Sequence, residues 1–72
     1  MLKVQKYKDI DSLIRREIRF KARFKYSATR LKVKNEKLVI YFREVDDKER
    51  FMIYLTLNYP NEVTEQICLE LS

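Results

Sequence analysis

Hydrophobic positions recur along this chain with two different periods. Ile10, Leu13, Ile14 and Ile18 follow Asp9 and Asp11 at helical spacing, and either aspartate is a good N-cap. The spacing predicts a short helix near residues 10–18. From Ile18 onward strict alternation takes over. Ile18, Phe20, Ala22, Phe24 and Tyr26 point one way, while Arg19, Lys21, Arg23 and Lys25 point the other. Period two fits a strand with one buried and one solvated face. A helix running to about Arg23 is the competing reading; it would set Glu17 and Lys21 within the apolar stripe.

Ser27-Ala28-Thr29 reads as a turn, after which Leu31 and Val33 alternate with Arg30, Lys32 and Lys34 in a second strand with a basic face. Lys34-Asn35-Glu36-Lys37 predicts a hairpin. Asn35 is the residue best able to take a positive φ in a chain without glycine. Residues 38–42 (LVIYF) are apolar on both faces, as in a central strand, and Val45 to Glu49 reads as a charged turn around Asp46-Asp47. Residues 51–57 (FMIYLTL) predict a fourth, two-sided strand that ends before Pro60, which cannot donate to a ladder. The last segment admits two readings. Asn61 as N-cap, with Val63, Ile67 and Leu71 at helical spacing, argues for a helix, whereas Ile67, Leu69 and Leu71 alternating with Cys68 and Glu70 argue for a strand. The helix is slightly favoured.

These elements predict an α+β fold: a small antiparallel meander of three to four strands, with an N-terminal helix and a C-terminal helix, in a single compact domain over residues 1–72. No linker, internal repeat or low-complexity tract divides the chain. If the first basic strand is a helix instead, the order α-β-β-β-α resembles that of double-stranded-RNA-binding domains in topology alone. That family has a lysine-rich start to its second helix, and the matching stretch here, residues 61–66, is acidic.

Composition narrows the chemistry. Seventy-two residues bury a thin core, of the kind that small chains often reinforce with a metal, a disulfide or a partner subunit. With no histidine and only Cys68, neither a zinc site nor an internal disulfide is expected, which leaves self-association. Cys68 itself reads as a small core residue. The absence of glycine excludes a P-loop and a dinucleotide fingerprint, and the absence of histidine removes the usual general base, so no enzymatic activity and no cofactor are expected. The acidic group Glu44, Asp46, Asp47 and Glu49 offers oxygen ligands for a hard cation, but such residues more commonly form solvated turns, and no metal site is assigned. The apolar run at 51–57 is far shorter than the roughly 20 residues of a membrane span, and the basic start, residues 1–8, has no apolar stretch behind it. A cytoplasmic protein is expected. Abundant Lys, Ile, Tyr, Phe and Glu with little Ala suggest an AT-rich genome such as that of a phage, an archaeal virus or a low-GC bacterium, and a viral, phage or mobile-element origin is expected.

Charge alters the picture most. The net +5 divides into thirteen basic against four acidic residues up to Lys37, and three against seven thereafter. Within it lies a tract of nine cations, Arg15, Arg16, Arg19, Lys21, Arg23, Lys25, Arg30, Lys32 and Lys34, opposed only by Glu17. On two neighbouring strands these side chains would pave one sheet face at about 5 to 7 Å spacing, suited to the phosphates of DNA or RNA. Nucleic-acid binding through that face is the first expectation. Tyr7, Tyr26, Tyr41, Tyr54 and Tyr59 could add base stacking, although Tyr26, Tyr41 and Tyr54 sit within strand patterns and read as core or rim packing. The alternative is a regulator or inhibitor that binds a host protein through an edge strand or its dipolar surface, and a homodimer or higher homo-oligomer is expected in either case.

Overall fold

The structure, a computed structural model, describes residues 4–72. The first three residues of the basic N-terminal segment lie outside the described residues. A short 3-10 turn, Tyr7–Asp9, leads into α1, Ser12–Phe24. The hairpin strands β1, Ala28–Lys34, and β2, Lys37–Phe42, follow. Then come α2, Val45–Asn58, the single-turn α3, Asn61–Thr64, and β3, Ile67–Leu71. The fold is α+β, with the strands in the order β1-β2-β3.

Asp11 caps α1, its carboxylate accepting a hydrogen bond from the Leu13 amide at 2.8 Å, while the Asp9 carboxylate accepts from the amides of Gln5 and Lys6 at 3.0 and 3.3 Å. The expected cap is present, but the helix runs on to Phe24, so the strand expected at residues 18–26 is helical. Ile18 and Ala22 satisfy both periods at once, and with Ile14 they form the i, i+4, i+8 stripe that α1 lays on the core. The arginines, lysines, leucine and alanine around them are good helix formers, which favours the longer period. The consequence is that Phe20 and Phe24, expected to point inward, face solvent at 57% and 71% exposure.

The hairpin forms where expected. Asn35 and Glu36 both take positive φ, 52° and 66°, as a two-residue turn requires. β1 pairs antiparallel with β2, with a register shift between Ala28 and Arg30.

The second half departs from a meander. Val45 to Asn58 is one helix, so the charged turn is its first turn, where Asp46 and Asp47 suit the positive end of the helix dipole. The expected fourth strand, 51–57, lies inside this helix. A short run apolar on both faces has no period of its own and satisfies either element. As a helix it buries Phe51 and Leu55 at i, i+4 and turns Met52, Ile53 and Leu57 outward. The C-terminal helix is confined to the α3 turn after Pro60. Ile67–Leu71 is instead a strand, pairing parallel with β2 from Leu38↔Ile67 to Phe42↔Leu71. The sheet is therefore mixed and three-stranded, because α2 provides the crossover that parallel neighbours need.

Both long helices cover one face of the sheet. Leu38, Ile40 and Phe42 of β2 meet Ile18 and Ala22 of α1 and Phe51 and Leu55 of α2 in a single core. An aromatic group closes it: Phe51 packs on Tyr26 and Phe42 with ring centroids 5.2 and 5.6 Å apart. Val39, Tyr41, Cys68 and Glu70 alternate onto the opposite, uncovered face. Cys68 is half-buried there and outside the core, contrary to expectation. Among the described residues no helix is long and apolar enough to cross a membrane.

Candidate nucleic-acid interface

The nine cations do not share one sheet face. Arg15, Arg16, Arg19, Lys21 and Arg23 are on α1, Lys25 is its C-cap, and Arg30, Lys32 and Lys34 are on β1. Helical geometry redistributes the first group. Arg15, Arg19 and Arg23 recur at i, i+4 and i+8 and so form one row, with Arg16 beside it. Lys21, expected on the same face, turns the other way: it is half-buried, with its Nζ 5.4 Å from the centre of the Tyr54 ring. Glu17, the one acid within the tract, also lies on that far side, accepting a hydrogen bond from the Tyr59 hydroxyl.

The arginine row borders a cleft of about 400 Å³ between α1 and the edge strand β1. Arg15, Arg16, Arg19 and Arg23 line it together with Tyr7, Phe20, Phe24, Ser12 and Leu31, and among the described residues no carboxylate is in its walls. Tyr7 is fixed at one end by its backbone, whose amide donates to the Glu36 carbonyl at 2.8 Å. Its side chain is buried under Arg15, whose guanidinium carbon is 5.8 Å from the ring centre. The Arg15 Nε–H is buried without a hydrogen-bond partner among the described residues, and the Tyr7 hydroxyl, whose oxygen lies beside the Arg19 guanidinium, finds no acceptor there for its hydrogen. Burial raises the Tyr7 hydroxyl above the usual tyrosine range, and the charges of Arg19 and Arg15, together with donation from the Arg19 guanidinium to the phenol oxygen, act against that rise. At the other end, the Phe20 and Phe24 rings sit 4.8 Å apart on the exposed side.

Arg30, Lys32 and Lys34 do lie where their alternation predicts, on the uncovered sheet face. Arg30 and Lys32 stand 5.8 and 5.6 Å from the centre of the Tyr41 ring, a cation–π arrangement on both. Lys34 borders a shallow depression with Lys37, Tyr41 and Glu70. Seven of the nine cations thus form two surfaces, one on either side of β1, with Lys21 and Lys25 outside both.

Phe20 and Phe24 belong to the cleft although the alternation assigned them to the core. Their spacing from Arg16, at i+4 and i+8 and a quarter-turn or more away from Ile14, Ile18 and Ala22, is the signal that marks them as outward. The acidic residues Glu44, Asp46, Asp47 and Glu49 lie at the start of α2, remote in role from the cleft, and among the described residues no three potential metal ligands gather in one place. Comparison with protein-family models, curated proteins and solved structures yields no significant match to this chain.

Proposed function

We propose that this chain is a non-enzymatic binding protein that contacts the phosphate backbone of nucleic acid, using the arginine cleft of α1 as its main surface and the cationic face of β1 as a second one. The observation that carries the reading is the company the arginines keep. Four guanidinium groups converge on one cleft that has no acidic wall among the described residues, while Glu17 is held on the opposite side of the helix by Tyr59. Like charges gathered this way repel one another, and an anion with regularly spaced charge relieves that repulsion. Guanidinium also matches phosphate oxygens through paired donors.

The test is a salt titration of a labelled random oligonucleotide. Neutralising four phosphates predicts a slope of log affinity against log salt of about −2.8 to −3.6, or a roughly 50- to 150-fold loss between about 50 and 200 mM salt. Changing Arg15, Arg19 and Arg23 to glutamine should remove most of that slope. Absence of binding at about 50 mM salt overturns the proposal.

A protein partner is the second reading, favoured by α2. Met52, Ile53 and Leu57 form an outward apolar face on that helix, and a second copy or a host protein would cover it. A concentration-dependent mass in sedimentation would support self-association, and loss of that dependence in Ile53→Lys would place it on α2.

A further inference from the structure

We infer that the cleft takes single-stranded nucleic acid, seating one phosphate at the Tyr7 and Arg15 end and stacking an unpaired base on Phe20 and Phe24. This rests on the phosphate-binding reading above and goes further in naming the strandedness and the contacts.

The first argument is the chemistry of the unsatisfied groups. Tyr7 is only 4% exposed, and at the wall of the same cleft the Arg15 Nε–H and the hydrogen of the Tyr7 hydroxyl are buried without an acceptor among the described residues, the Arg19 guanidinium beside the phenol oxygen being itself a donor. Both are hydrogen-bond donors, since a neutral phenol and a guanidinium each carry a hydrogen to give. Two buried donors beside three further arginines call for an acceptor that is negatively charged. A phosphate oxygen meets that description, whereas a cation or an apolar group does not.

The second argument is the aromatic pair. Phe20 and Phe24 expose 57% and 71% of their surface on the same helix that carries the arginine row, their rings in tilted contact at 4.8 Å. Two phenyl rings held in water beside four cations add to the fold only their mutual i, i+4 contact, because the core is closed without them. In a duplex the base faces are already stacked inside, so a duplex lying along the arginines would leave the rings wet. An unpaired base can leave its neighbours and cover them while a phosphate of the same strand is seated in the cleft.

The experiment compares a labelled twelve-nucleotide oligo(dT) with a twelve-base-pair duplex on three proteins: the wild type, the double variant Phe20→Ala/Phe24→Ala, and Tyr7→Phe. The expected result is tighter binding of oligo(dT) by the wild type. The double variant should lose ~5- to 150-fold on the single strand, the range for one stacked base, with its duplex affinity and salt slope unchanged. Tyr7→Phe should weaken oligo(dT) binding without altering strand preference. All three changes leave the core untouched or isosteric, and circular dichroism checks that the fold is retained. Equal or tighter binding of the duplex overturns the inference while leaving phosphate binding intact. So does a single-strand preference that survives loss of both phenylalanines. Binding of neither probe by the wild type overturns the phosphate reading itself.

Discussion

Replacing Tyr7 by phenylalanine removes one oxygen from a side chain that is otherwise fully packed, and the structure sets the size of the effect. The ring belongs to the core cluster with Ile10 and Ile18, and it carries the Arg15 guanidinium on one face. Phenylalanine keeps both contacts. What disappears is a hydroxyl whose hydrogen has left water without gaining an acceptor among the described residues, a condition that costs about 1–3 kcal/mol in a folded protein and that the Arg19 guanidinium beside its oxygen offsets only in part. The free protein should therefore become more stable by about 1–2 kcal/mol. For a domain of this size each kcal/mol moves Tm by about 4–8 °C, so the shift is easily measured. Urea unfolding followed by circular dichroism at neutral pH should show a higher midpoint with an unchanged m-value, because the surface exposed on unfolding is the same. The measurement repeated with saturating oligo(dT) should narrow or reverse the difference, since the wild type then gains the larger linkage stabilisation. A Tyr7→Phe protein that is less stable by 1 kcal/mol or more would refute the reasoning, because the hydroxyl would have to be satisfied in the folded state.

Two further outcomes test the fold. Tyr59 is held above the usual tyrosine range by burial first, then by its hydrogen bonds to Glu17 and Tyr54, and Tyr7 is raised by burial. In the unfolded chain both ionise near pH 10, so above that pH the unfolded state binds fewer protons and stability falls. Below about pH 10 neither tyrosine makes stability depend on pH. Tyr59→Phe should flatten the alkaline decline relative to wild type in unfolding measured at a series of pH values from about 8 to 11, and an unchanged slope would contradict the assignment. At the hairpin, Glu36 holds φ 66° with a side chain that disfavours it, at a cost of roughly 1–2 kcal/mol. Glu36→Gly relieves that cost against a larger loss of chain entropy, and should leave stability equal or up to about 1 kcal/mol higher in urea unfolding. A clear loss would mean that the Glu36 side chain itself supports the turn.

Several features follow from residues acting locally. The Asp11 cap, the basic alternation of β1, the hairpin at Asn35 and the concentration of positive charge before Lys37 all depend on neighbours within a few positions, and all are legible in the sequence. The absence of glycine and histidine also belongs there, since it needs no structure to limit the chemistry.

Three choices needed the whole molecule. Residues 18–24 carry Ile18 and Ala22 at positions that satisfy both a period of two and a helical turn, and residues 51–57 are apolar whichever period is used. Local pattern therefore leaves each segment with two solutions. Packing selects the helix in both, because Ile14, Ile18 and Ala22 meet Leu38 and Ile40 from one side while Phe51 meets Phe42 and Tyr26. Once α2 is a crossover, β3 must run parallel to β2, a pairing between residues about thirty positions apart that no local signal encodes. The site follows from the same choice. As a strand, residues 19–25 would have spread Arg19, Lys21, Arg23 and Lys25 along one face. As a helix they split, Lys21 going to Tyr54 while Arg15, Arg19 and Arg23 gather with Phe20 and Phe24 into the cleft. The charge was written in the sequence, but its arrangement was settled by which period the core could bury.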